Sequence, residues 1–238
     1  MAKNNWFQFK QFRIIQERAA MKVGTDGVLL GAWADVSTAR TILDIGAGTG
    51  LIALMMAQRS EAKVTGIEIE KNAAEEAIEN AENSPWNQQI TILNISFQDF
   101  VKSKPGLFDR IVSNPPFFTN SQKSKCGNLA MAKHNHLLPW ADLAHGITRL
   151  LVPDGKLAII LPVTAVSEFV KMAEKEKLFL LRETEVRPNN LKYPHRYLME
   201  FGYNKAETEK NFLNIHNDDG VGFTDQYKEL TRDFYLNF

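Results

Sequence analysis

The stretch Asp44-Ile45-Gly46-Ala47-Gly48-Thr49-Gly50 joins a short apolar run, ILDI (42–45), to a helical one, LIALMMAQ (51–58), and this junction restricts the fold more than any other feature of the chain. Its glycines permit positive φ angles and leave bare backbone, so a strand can turn directly into a helix. The same alternation then repeats. VTGIEI (64–69) reads as a strand and KNAAEEAIENAEN (71–83) as a helix. ITILNI (90–95), FDRIVS (108–113) and KLAIILP (156–162) read as further strands, with helices at 140–151 and 165–176. Strands alternating with helices imply βαβ units and a parallel sheet covered on both faces, which is a doubly wound α/β fold. Such sheets bind ligands beyond the carboxyl ends of their strands. Two more strands are expected at 178–187 and 196–203, joined by PNNLKYPH. That connector is too short for a crossover, so the last pair should be antiparallel. The polar stretch 205–220 reads as loop and 223–236 as a final amphipathic helix.

Composition narrows the class. Lys plus Arg and Asp plus Glu each number 28 in 238 residues, so bulk positive charge cannot drive binding to nucleic acid. The single cysteine, Cys126, can build neither an internal disulfide nor a multi-thiolate metal site. No apolar run approaches the ~18 residues of a membrane span. The N-terminus MAKNNWFQFKQFRII lacks the apolar core of a signal peptide. A cytoplasmic protein, with no membrane partner, is the expectation.

The glycine spacing, G-x-G-x-G, differs from the G-x-G-x-x-G of dinucleotide loops and lacks the Gly-Lys-Ser/Thr of a P-loop. A tight turn with no ligand is the plain alternative. Glu68 ends the second strand about 20 residues on, where a carboxylate can accept hydrogen bonds from ribose hydroxyls. Glu70 fits better as a charge at the start of the next helix. Asp99, in SFQDF, could accept from an adenine amino group with Phe97 or Phe100 framing the base, or could simply cap a helix. Together LDIGAGTG, GIEIE and SFQDF resemble the Rossmann-like S-adenosylmethionine-dependent methyltransferases, over about residues 42–203. The resemblance implies a seven-stranded sheet, mostly parallel with the last strand antiparallel. It also implies a cofactor site at Asp44, Gly46, Ala47, Gly48, Gly50, Glu68, Gln98 and Asp99, using S-adenosylmethionine, giving S-adenosylhomocysteine, and using no metal.

Ser113-Asn114-Pro115-Pro116-Phe117-Phe118 follows the fourth strand. Two prolines can neither continue a ladder nor enter a helix interior, so the turn is rigid and extended. An exocyclic amino nitrogen on a purine is a poor nucleophile because its lone pair is delocalised into the ring. Two acceptors, the Asn114 side-chain oxygen and the Pro115 carbonyl, could hold its two hydrogens and turn the lone pair toward a sulfonium methyl. Positioning then supplies the rate without a strong base. Phe117 offers a stacking face. A surface Pro-Pro turn with an incidental Asn is the alternative. The pattern is that of amino-group methyltransferases acting on adenine, cytosine, guanine N2 or glutamine amides, with Asn114, Pro115, Pro116 and Phe117 as catalytic residues.

The block 7–34, FQFKQFRIIQERAAMKVGTDGVLLGAWA, and the C-terminal YKELTRDFYLNF resemble the bacterial tRNA1(Val) adenine-37 N6-methyltransferases. That resemblance implies tRNA as partner, no obligatory protein partner, a monomer, and Lys22, Thr25, Asp26 and Asn114 near the cofactor. On chemistry alone, MKVGTDG could be a capped turn before a helix at 28–33. Charge is polarised along the chain. Residues 102–137 carry Lys102, Lys104, Arg110, Lys123, Lys125 and Lys133 against Asp109, and residues 1–24 carry five cations against Glu17. Seven acids and two lysines occupy 61–83. Phe117, Phe118, Lys123, Lys125, Lys133 and Arg196 are therefore candidate RNA contacts, although solvated loop lysines would look the same. His134 and His136 with Cys126 make a poor metal set. One domain is expected over 1–238: an N-terminal segment (1–40) closing over the site, a core (41–204), and a C-terminal loop and helix (205–238). Rival readings are a ribosomal RNA methyltransferase on adenine N6 or guanine N2, a protein glutamine-N5 methyltransferase, and an inactive RNA-binding module of the same fold.

Overall fold

A computed structural model describes residues 5–116 and 138–238. The chain opens with a hairpin, β1 (Trp6–Gln8) and β2 (Arg13–Ile15), followed by α1 (Thr25–Trp33). The βα series then runs β3 (Thr41–Ile45), α2 (Leu51–Arg59), β4 (Lys63–Glu68), α3 (Lys71–Glu82), β5 (Ile90–Asn94), α4 (Phe97–Lys102) and β6 (Phe108–Ser113). After it come α5 (Trp140–Thr148), β7 (Leu151–Pro162), α6 (Val163–Lys175), β8 (Phe179–Arg187), β9 (Arg196–Gly202), β10 (Glu209–Asn214) and α7 (Asp225–Thr231). The large sheet has the order β10-β8-β9-β7-β6-β3-β4-β5. Only β9 runs against its neighbours β7 and β8. The strands β3 to β9 are thus the seven expected, with the seventh antiparallel as the connector length required.

An eighth strand is added where a loop was expected. β10 pairs in parallel with β8 from Glu209↔Arg182 to Asn214↔Arg187. Its residues are mostly exposed, with Leu213 the buried one, so its sequence carries the polarity of an edge strand and hides its period. The final helix is shorter than its apolar pattern. Thr224 caps it, accepting from Tyr227 N–H at 3.1 Å, and the chain turns after Thr231 to place Phe234 under the N-terminal hairpin, where its carbonyl accepts from Lys10 N–H at 2.8 Å. β7 starts five residues before the expected boundary because Leu151 already pairs with Phe108.

Alternate residues of each central strand feed two separate cores. Ile42, Val112, Ala158, Ile160 and Leu198 join α1, α2 and the chain ends on one face. Leu43, Ile111, Ile159, Leu161 and Met199 join α4, α5 and α6 on the other. Period-two burial on both faces is what makes these strands read as continuous apolar runs. Each of the Val, Ile, Leu and Met side chains among them contributes about 1.5–3 kcal/mol of transfer free energy.

Helix α1 is pinned so that its first turn faces the carboxyl edge of the sheet. A Cβ on Gly31 would come within 2.5 Å of Met55 Sδ, so glycine allows the close approach of α1 to α2. At its far end, Trp33 Nε1–H donates to Thr184 Oγ1 at 3.0 Å, and the Arg182 guanidinium lies 3.8 Å from the indole centroid. Among the described residues no helix is long and apolar enough to cross a membrane.

Candidate active site

The strand order reverses at β3, with β4 on one side and β6 on the other, and the chemically loaded turns follow these strands. After β3, the N–H groups of Gly46 and Ala47 both donate to the Ile67 carbonyl, at 2.9 and 3.0 Å, folding the loop over the end of β4. Gly46 and Gly48 have φ of 75° and 55°, and nothing stands within 4 Å of where a Cβ would project from either. Both line a cavity of about 210 Å³, so bare backbone faces it. Gly50 plays a different part, since with φ 82° it caps α2 and packs on Ala77. Ala47 is buried and contributes no lining.

Glu68 lines the same cavity. Its Oε2 accepts from Gly48 N–H and its Oε1 from Glu70 N–H, both at 2.9 Å, so the carboxylate is oriented while its remaining lone pairs stay available. Glu70 caps α3, accepting from Asn72 and Ala73 N–H at 3.1 and 2.7 Å, which agrees with the helix-terminal role expected for it. Asp44 is fully buried beneath the loop. Its Oδ2 accepts from Ala53 N–H at 3.1 Å, while Oδ1 has no hydrogen-bond partner among the described residues. Burial pushes its pKa up to about 7 against the Ala53 hydrogen bond, and the nearby Glu68 charge adds to the rise.

The wall opposite is the turn after β6. Ser113 Oγ–H donates to the Ile45 carbonyl at 3.0 Å, tying the end of β6 to the glycine loop. Asn114, Pro115 and Pro116 all line the cavity, with Asn114 half-buried and Pro115 buried. The first turn of α1 backs Asn114: a Cβ on Gly27 would lie 4.0 Å from its Nδ2. Ile95, Phe97 and Gln98 close a third side.

Asp99 is not brought into the cavity. Ser96 caps α4, accepting from Asp99 N–H at 3.1 Å while its hydroxyl donates to Asp99 Oδ2 at 2.8 Å, and Lys102 Nζ holds Oδ1 at 3.0 Å. Ser96, followed three residues on by an acid, forms a capping box, which is the helix-cap role weighed for Asp99 from the sequence. The pKa of Asp99 lies below the usual carboxylate range, chiefly through the Ser96 hydroxyl and then Lys102. Lys22, Thr25 and Asp26 do not line the cavity either. Lys22 is exposed, and Asp26 Oδ2 accepts from Arg196 Nε at 2.7 Å, which ties the start of α1 to β9. Arg196 therefore serves a protein contact. Burial lowers the pKa of neighbouring His195, with Arg196 adding to the drop and Asp26 opposing it. Phe117, Phe118, Lys123, Lys125 and Lys133 lie outside the described residues, as do Cys126, His134 and His136. Among the described residues no group of three or more His, Cys, Asp or Glu is placed to hold a metal.

The roof of the cavity is Ala19, Ala20 and Met21, and the residues that hold it were not foreseen. Glu76 of α3 is fully buried. Its Oε1 accepts from Glu17 and Arg18 N–H at 2.6 and 2.9 Å, and its Oε2 from Ala19 N–H at 3.0 Å. Asn80, one turn on, accepts from Ile15 N–H at 2.8 Å and donates to the carbonyls of Ile15 and Thr49, both at 2.9 Å. One side chain thus joins the N-terminal segment to the glycine loop. Ala73, Glu76, Ala77, Asn80 and Ala81 share the buried face of α3. An acid and an amide on the alanine stripe, at i, i+3, i+4, i+7 spacing, were the signal available in the sequence.

The profile of the methyltransferase small domain family matches residues 22–162. A Trichodesmium erythraeum protein named tRNA1(Val) (adenine(37)-N6)-methyltransferase is 44% identical over 98% of this chain and 99% of its own length. An Aeromonas hydrophila protein of the same name is 41% identical over 99% of both. Among solved structures, a predicted O-methyltransferase of Agrobacterium tumefaciens superposes with a TM-score of 0.68 at 21% identity, covering 88% of this chain and 96% of that one. A ribosomal protein L11 methylase of Lactobacillus delbrueckii gives 0.55 at 16%, covering 79% and 82%. At those identities the structural likeness speaks for the fold.

Proposed function

The chain belongs to the methyltransferase small domain family and groups with the tRNA1(Val) (adenine(37)-N6)-methyltransferases, and on that premise we propose that it transfers a methyl group from S-adenosylmethionine to N6 of adenine 37 in tRNA1(Val). The observation that carries this reading is that Gly46, Gly48 and Glu68 face Asn114 and Pro115 across one cavity. The residues present suit the cofactor. Bare backbone at Gly46 and Gly48 would let it lie against the loop, and Glu68 would accept from ribose hydroxyls, while Asp44 lies buried beneath the loop and outside the cavity lining. When bound, S-adenosylmethionine supplies an electrophilic methyl on a sulfonium sulfur.

This chain supplies position and charge. The Asn114 carboxamide oxygen and the Pro115 carbonyl would each accept one hydrogen of the adenine amino group. Those two acceptors fix the plane of the hydrogens and leave the lone pair directed away from them, toward the methyl. Rigidity at Pro115-Pro116 keeps the pair of acceptors from following the substrate, which is how positioning lowers a barrier. Ala19, Ala20 and Met21 cover one side of the cavity. Phe117 and Phe118 are assigned to stacking the base, and Lys123, Lys125 and Lys133 to phosphate contacts, in a protein acting where tRNA is, in the cytoplasm.

Asn114→Ala is the test of roles. It should lower the transfer rate on tRNA1(Val) by at least ~100-fold, the usual cost of one preorganised polar group, while calorimetric affinity for S-adenosylmethionine stays within about threefold, since the cofactor's other partners remain. Equal loss of both would assign Asn114 to cofactor binding alone.

A further inference from the structure

We infer that the turn between β8 and β9 is a second base-binding platform, with Tyr193 stacking on a tRNA nucleobase outside the catalytic cavity and Lys192 beside a phosphate. This rests on tRNA being the substrate. The turn leaves the same carboxyl edge as the catalytic residues, because β8 runs parallel to β7 through the antiparallel β9. Register places it closely. Ser113 of β6 lies opposite Ile159 of β7, and Pro162, three residues further out, lies opposite Arg196. The Asn114–Pro116 turn and the start of β9 are therefore about two strand spacings apart, ~10 Å. A few nucleotides span that at a stacked rise of ~3.4 Å each.

The tip of the turn is presented, and its backbone is fixed. Tyr193 is 93% exposed and Leu191 73%, with exposed Lys192 between them. Beneath them Asn190 N–H donates to Asp218 Oδ1 at 3.1 Å, Leu191 N–H to Asn189 Oδ1 at 3.2 Å, and His195 N–H to the Val186 carbonyl at 3.0 Å. The Arg196–Asp26 pair links this turn to α1, whose Gly27 backs Asn114. A phenol ring held on a braced turn offers a stacking face at small entropic cost. A flanking lysine supplies the charge that a phosphodiester needs. Aromatic stacking accepts any base, so the platform would fix the distance between the anticodon loop and the cavity without reading sequence.

Steady-state kinetics and filter binding with tRNA1(Val) at several salt concentrations test this. Tyr193→Ala should raise KM and Kd about tenfold, with kcat within about twofold and the slope of log Kd against log salt unchanged, because stacking displaces no counterions. Tyr193→Phe should behave as wild type. Lys192→Ala should make the salt slope shallower by about one unit. A Tyr193→Ala protein with wild-type KM and Kd, or a Tyr193→Phe protein impaired as much, would overturn the platform while leaving the enzyme's function standing. A wild-type protein inert on tRNA would overturn both.

Discussion

Asp44, buried beneath the glycine loop, is costly to keep charged. A carboxylate taken fully out of water with one oxygen bonded and the other bare is stabilised best by a proton or by a nearby cation. Its pKa of about 7 lies above the ~3.9 of an unfolded aspartate. The folded state therefore binds the proton more tightly. The stability it contributes is full below pH ~4 and is lost as pH rises through about 7. Thermal melts of the cofactor-free protein from pH 5 to 8 should show the wild type losing about 2–4 kcal/mol relative to Asp44→Asn, on the order of 5–10 °C in melting temperature. Parallel curves for the two proteins would contradict the burial argument. At this scale the sequence was legible where backbone geometry dictates residue type. The glycines at 46 and 48 and the Asn-Pro-Pro turn line the cavity where expected. The intramolecular partners of polar side chains were not legible, as with Asp99 beside Ser96 and Lys102 or Asp26 beside Arg196.

Among elements, α3 does more than fill the space beside β4 and β5. Its buried Glu76 gathers three successive N–H groups, and its Asn80 bridges β2 and the glycine loop, so the roof of the cavity hangs from this helix. In Glu76→Gln one acceptor becomes a donor facing an N–H, leaving a buried group unsatisfied at about 1–3 kcal/mol. Hydrogen exchange should accelerate at the amides of 17–19, and cofactor affinity should fall roughly tenfold, equivalent to ~1.4 kcal/mol. Unchanged exchange there would show that the segment is held by other contacts. Strands and helices of the βα series were legible because burial on both faces leaves a continuous apolar signature. β10 was not, since an edge strand with one buried residue looks like polar loop. The β1–β2 hairpin escaped notice too, for its strands have only three residues each.

Over the whole molecule, the net charge of zero resolves into pairings that the sequence could not show. Arg18 bonds Glu79 and lies 4.0 Å from Glu75, Arg13 covers the Trp6 ring at 4.7 Å, and Lys10 Nζ donates to the Phe238 carbonyl at 2.7 Å. Lys10, Arg13 and Arg18 of the basic N-terminal segment therefore each have a partner within the chain while staying exposed. Arg110 is bound to the Asp35 carbonyl at the opposite edge of the sheet from Asn114. Residues near the two chain ends also meet, with the Phe7 and Tyr235 ring centroids 6.2 Å apart. On the proposed reading RNA meets the carboxyl edge, where Asn114 and the glycine loop line one cavity and the β8–β9 turn leaves the sheet. The claim that this edge modifies adenine 37 is tested most directly by digesting tRNA1(Val), after incubation with the purified protein and S-adenosylmethionine, and locating the added methyl by mass spectrometry. A single N6-methyladenosine at position 37 is the predicted result. A methyl at any other nucleotide, or an unmodified tRNA alongside a methylated ribosomal RNA or glutamine peptide, would contradict it.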